Sequence, residues 1–128
     1  MSTPERPPVY VTEDEFERLS DLAHAAQGRE PAADTLIEEL SRARIAAPVD
    51  VPADVVRMHD RVDFIYDGAA YDDFTLVYPN EANIADRRIS ILTQVGAMLI
   101  GLTSGGSISW TGAGERTHRI EVLGVRRL

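Results

Sequence analysis

Apolar positions change their period midway along the chain. From Phe16 they recur at Leu19, Leu22, Ala23 and Ala26, and after a break at Ala33, Leu36, Ile37, Leu40 and Ala43. Spacings of three and four place one apolar stripe on each of two helices. A strong start signal precedes the first stripe: Thr12 can cap, Glu15 three places on completes a capping box, and Val11 with Phe16 occupies the staple positions. Gly28 ends this helix near Gln27, and Pro31 can open the next, which the pattern carries through "ADTLIEELSRARI". Two helices of similar length joined by a short turn predict an antiparallel hairpin. Each arm is about 15 residues, hence about 22 Å long at 1.5 Å per residue. Stripes this rich in alanine bury little area, so the pair is expected to lean on the C-terminal domain.

Beyond "APVDVPADVV", where Pro48 and Pro52 block a continuous helix, the period becomes two. Val62, Phe64 and Tyr66 alternate with Asp63 and Ile65, Asp67-Gly68 is a turn signal, and Phe74, Leu76 and Tyr78 share one face of "YDDFTLVYP". Further strands are expected at Arg88 to Leu92, Ser107 to Thr111 and Thr117 to Val125. The pattern therefore predicts an α+β chain: a disordered tail at 1–9, a helical hairpin at 10–47, a linker at 48–53 and an antiparallel sheet domain with one short helix at 54–128. The apolar stretch "ISILTQVGAMLIGL" supplies a strand at Ile89 and Ile91 and a helix over Gly96 to Leu102 that Gly101 ends. This leaves the corner Leu92, Thr93, Gln94 and Val95 free to face a partner.

Charge narrows the choice of partner. Net charge is −8 and every basic residue is arginine; residues 1–54 hold 5 arginines against 12 acidic residues, so the acidity belongs to the first half. A binder of free nucleic acid needs a basic face, and this balance repels a polyanion. The 14-residue apolar stretch falls short of the roughly 20 residues that span a bilayer, and "MSTPERPPVY" lacks a secretory pattern, so the expectation is a cytoplasmic protein.

Reactive groups do not converge in the sequence. With no cysteine there is no thiolate site, and His24, His59 and His118 have no metal-ligand spacing. Ser104 lacks the G-x-S-x-G order, and the absence of lysine excludes a P-loop. Asp72 and Asp73 are neighbours on a strand and should point to opposite faces. Glu30 and Asp34 at the hairpin tip could hold Mg²⁺ from one helix face, but capping and solvation explain the pair more simply. No cofactor, resident metal or catalytic set is expected. Arg126 and Arg127 read as solvated.

With "DVVRMHDRVDF", "TLVYPNEANIADRRISILTQVGAMLIGL" and "SISW" in this order after a two-helix stub, the chain resembles the Rnk family, regulators of nucleoside diphosphate kinase and short relatives of the transcript-cleavage factors GreA and GreB. The resemblance spans Val9 to about Val125 and is most specific over Asp54 to Trp110. It implies a coiled-coil hairpin, a C-terminal domain of FKBP-like fold, and binding to RNA polymerase at the rim of the secondary channel. In the Gre relatives a long hairpin carries acidic tip residues to the catalytic Mg²⁺. The docking surface of those relatives falls by the "ISI" match on Leu92, Thr93 and Gln94, beside Val95, with Gln94 standing where the family commonly has proline. A hairpin of about 22 Å would stop short of the catalytic metal. The expected action is therefore occupancy of the rim by a monomer, excluding longer-armed factors without stimulating cleavage. The rival readings are an FKBP-type prolyl isomerase and a binding module for another cytoplasmic protein.

Overall fold

The computed structural model describes residues 9–111 and 115–127. Most of the expected tail lies outside the described residues, but Val9 is only 1% exposed and belongs to the core. Strand β1, Tyr10–Val11, leads into helix α1, Glu13–Ala26. The Thr12 hydroxyl accepts from the Glu15 amide at 3.3 Å and a Glu15 carboxylate oxygen accepts from the Thr12 amide at 2.9 Å, so the predicted capping box is formed. Gly28, at φ +86, turns the chain, and Pro31 opens helix α2, Pro31–Ser41.

Helix α2 ends earlier than its apolar period suggested. Arg44–Ile45 form strand β2, parallel to β1, with the Arg44 amide donating to the Val9 carbonyl at 2.7 Å and Ala46 to Val11 at 2.9 Å. The backbone of 44–46 thus satisfies strand partners in place of helical ones. Leu19 and Ala23 of α1 and Ala32, Leu36 and Leu40 of α2 share one continuous core with Phe64, Leu76, Ile91, Leu99 and Val122 of the sheet domain. The hairpin stripes are consumed inside the molecule.

The sheet domain has strands β3 (Arg61–Tyr66), β4 (Ala69–Val77), β5 (Arg88–Ser90), β6 (Ser107–Thr111) and β7 (Thr117–Arg126), in the order β5-β4-β3-β7-β6. The β3–β4 hairpin turns on Asp67 (φ +49) and Gly68 (φ +85), as Asp-Gly predicts. The expectation of a wholly antiparallel sheet is corrected at one edge: β5 runs parallel to β4. Segment 78–87, wound into 3-10 turns at Pro79–Glu81 and Ile84–Asp86, carries the chain back before β5 begins.

Alternation also fails once within β4. Val62 pairs with Phe74 but Phe64 with Tyr71, so Asp72 and Asp73 bulge opposite Asp63. Asp73, at φ +61, is turned onto Arg61 and Arg126, and Arg126 also grips Asp63 at 2.7 and 2.9 Å. Arg126 and Arg127 are therefore paired, contrary to the solvated reading: Arg127 donates to Asp60, itself 2% exposed, and to the Val55 carbonyl at 2.8 Å. Helix α3, Gln94–Leu99, starts two residues before the expected position because Thr93 caps it, accepting from the Gly96 amide at 3.0 Å. A Cβ at Gly96 would lie 2.1 Å from the Ser90 carbonyl oxygen, so this tight corner requires glycine. Among the described residues, no helix is long and apolar enough to cross a membrane.

Candidate partner-docking site

The four corner residues follow the short edge strand β5, and each has a structural task. Leu92 is half-buried against the core, and its amide donates to the Ser90 hydroxyl at 3.0 Å. Thr93 is exposed; its hydroxyl donates to the Ser90 carbonyl at 2.7 Å as well as capping α3. Gln94 is half-buried and accepts from the Thr35 hydroxyl of α2 at 3.3 Å. Val95 turns inward and helps line a cavity.

That cavity, of about 170 Å³, is walled by Phe64, Tyr66, Tyr71, Phe74, Ile84, Ile89 and Val95. Strands β3 and β4 supply the aromatics. Phe64 and Tyr71 stack with centroids 5.1 Å apart, and Phe74 meets both edge-on at 6.0 and 5.5 Å. No lining residue is charged, so the chemistry it can perform is to take up an apolar group. Ile84 stands at 67% exposure and forms the rim. Sequence reading missed it, although one isoleucine within "PNEANIADRR" was the available signal: an apolar side chain that a polar loop does not need for its own folding.

Tyr66 also stacks on Trp110, at 6.2 Å and 8°, and its hydroxyl lies 3.4 Å from Nδ1 of His118. Burial pushes the Tyr66 phenol pKa up. Asp67 holds His118 at 2.6 Å, and that hydrogen bond, with a second from the Arg119 amide, lowers the Asp67 carboxyl pKa. These groups brace the end of the β3–β4 hairpin.

The hairpin tip lies nearer this corner than its place in the sequence suggests. Glu30 and Asp34 are both exposed; Asp34 accepts from Gln27 at 3.4 Å, and Glu30 caps α2 by backbone alone. Thr35, next to Asp34, is the residue bonded to Gln94, so the first turns of α2 lie against α3. On the other side Glu15 of α1 bridges to Arg57 at 2.9 Å, and the Arg18 guanidinium sits 3.7 Å above the Tyr78 ring. The hairpin is strapped along the sheet domain at three points. Among the described residues no group of three or more His, Asp or Glu side chains stands close enough to hold a metal.

Comparison with known proteins finds relatives for both parts of the chain. Residues 51–127 match the family described as the C-terminal part of the transcription elongation factors GreA/GreB, and residues 7–45 match the Rnk N-terminus. The regulator of nucleoside diphosphate kinase of Escherichia coli K12 is 37% identical over 121 residues, which are 92% of this chain and 88% of that protein. The Shigella flexneri protein of the same name gives the same figures. Among solved structures, a prokaryotic transcription elongation factor GreA/GreB from Nitrosomonas europaea superposes with a TM-score of 0.75 at 32% identity, covering 95% of this chain and all of the other.

Proposed function

The chain belongs to the Rnk family, within the GreA/GreB type of transcription factor, and from that premise we propose that it binds RNA polymerase at the rim of the secondary channel through its sheet domain. The contact surface is the corner Leu92 to Val95 together with the aromatic cavity that Val95 shares and Ile84 rims. Bound there, the protein excludes Gre-type factors and regulates transcription without stimulating transcript cleavage. Control of nucleoside diphosphate kinase, the activity for which its relatives are named, comes about through this route.

The observation that carries the reading is the strapped hairpin. Helix α2 extends only four residues from Pro31 to the Thr35 contact, about 6 Å at 1.5 Å per residue, before it is held against α3. An arm of that kind reaches no distant metal, so the work left to it is occupancy. Competition for one surface requires no chemistry.

A competition experiment tests this. The protein should displace a labelled Gre-type factor from core polymerase, while stalled complexes show no faster RNA trimming. Ile84→Asp should abolish displacement and leave the melting temperature unchanged, because Ile84 is exposed. Displacement by Ile84→Asp as strong as by the unmodified chain would refute the cavity as the contact surface. The aromatic lining also suits a prolyl ring, which favours the isomerase as the second reading. Turnover of a proline peptide well above background, lost in Ile84→Asp, would favour that enzyme.

A further inference from the structure

The two edges of the five-stranded sheet are guarded unequally. Strand β5 is three residues long, and its first residue, Arg88, exchanges backbone hydrogen bonds with Asn83 at 3.0 and 2.9 Å. Strand β6, Ser107–Thr111, is the opposite edge. Natural edges are blunted by charge, proline, bulges or a covering element, since an open row of N–H and C=O groups is a template for another strand. The sequence of β6, "SISWT", has neither charge nor proline in a chain that is 27% charged. Its register with β7 is unbroken from Ser107 to Thr111.

The strand is also symmetric in character about its middle residue. Ser107, Ser109 and Thr111 are exposed on one face, and Ile108 and Trp110 are half-buried on the other. If such a strand meets its own copy antiparallel with Ser109 on the two-fold axis, Ser107 faces Thr111 and Ile108 faces Trp110, twice over. β-Branched residues opposite aromatics are favourable cross-strand pairs, and a two-fold contact requires this kind of self-complementarity.

We propose that β6 is a self-association edge, at which two copies of this chain pair β6 to β6 into one ten-stranded sheet. Charge argues for a second copy at this place: a chain of net charge −8 repels itself wherever its acidic residues meet, and β6 carries none. On the strand behind, Glu121 stands beside Ser107 and Arg119 beside Ser109. The Glu121 row then crosses Ser107 and the partner copy's threonine, so no like charges face each other directly. Five residues a side is far below the 20 to 30 of a standard interface, so the dimer is weak and forms at high concentration. This refines the expectation of a monomer. Counted along the sheet, the corner that follows β5 lies four strand spacings, about 19 Å, from β6.

The experiment is sedimentation equilibrium of the whole chain up to millimolar concentration, with Ser109→Lys and Ser109→Glu. Side chains opposite one another on the axis lie about 5 Å apart, so like charges there oppose pairing and unlike charges restore it. The expected result is a reversible dimer for the unmodified chain, monomers for each variant alone, and a heterodimer in their equimolar mixture. Unchanged melting curves for the variants show that they fold. A monomer at every concentration overturns the proposal, and so does a dimer that Ser109→Lys leaves intact, which would place the contact elsewhere. Ser109 belongs neither to the corner nor to the cavity lining, so failure here leaves polymerase binding untouched.

Discussion

Asp73 shows how one residue can escape a period-two reading. Alternation sent Asp72 and Asp73 to opposite faces, but the bulge opposite Asp63 places Asp73 in the left-handed region, where its carboxylate joins Asp63 on Arg126. No feature of "YDDF" marks a bulge, because the signal is the register set by β3 and the arginine 53 residues away. Hydrogen bonding from Arg126 lowers the Asp63 carboxyl pKa from 3.8 to about 2. A carboxyl depressed on folding stabilises the native state above its unfolded value, and that stabilisation is lost as pH falls toward the folded one. Arg126→Ala should therefore be less stable than the unmodified chain at pH above about 4, with the gap closing by about pH 2. Denaturant melts across this range check it. A gap that stays constant with pH would show that Arg126 acts through packing alone.

At the scale of elements, the N-terminus of α1 was legible because its signals are local. Thr12, Glu15 and Val11 lie within one turn of each other, and the capping box forms as read. Thr12→Ala should cost about 1 kcal/mol, a fall of about 3–5 °C in melting temperature for a chain of this size. Glu15→Ala should cost more, since Glu15 also holds Arg57 in a mostly buried bridge. Equal losses in the two variants would mean that the bridge contributes nothing. The C-terminus of α2 was not legible, because what ends it is strand β1, more than thirty residues earlier. The parallel edge of the sheet escaped for the same reason. Periodicity reports which face of a strand is buried and carries no information on direction.

Gln94 is a case where magnitudes oppose each other. It is the first residue of α3, where proline is favoured, and Thr93 before it is extended at ψ 156, as a residue preceding proline must be. Gln94→Pro should gain about 0.4–1 kcal/mol from the unfolded state and lose about 0.5–1.5 kcal/mol with the Thr35 hydrogen bond. The expected melting temperature is close to that of the unmodified chain. A loss of several degrees would show that the strap between α2 and α3 carries more than one hydrogen bond.

For the whole molecule, the corner of the proposed site was legible in the sequence and the company it keeps was not. Leu92 to Val95 stand out in the sequence as the corner left between a strand and a helix. The cavity beside them draws on β3, β4, the 3-10 turn at Ile84 and α3, so only folding assembles it. The sequence predicted a hairpin that leans on the sheet domain, and the structure lays it there. Glu30→Ala combined with Asp34→Ala should accordingly leave displacement of a Gre-type factor intact, since both side chains are exposed and Thr35 holds the strap. Loss of displacement in that double variant would mean that the tip touches polymerase.

Trp110 is the one tryptophan of the chain, and it lies flat against Tyr66, a wall of the aromatic cavity. The molecule therefore carries its own optical probe at a useful place. A guest entering the cavity must shift or shield Tyr66, and the indole emission will move with it, so arrival and departure can be timed in solution with no dye attached.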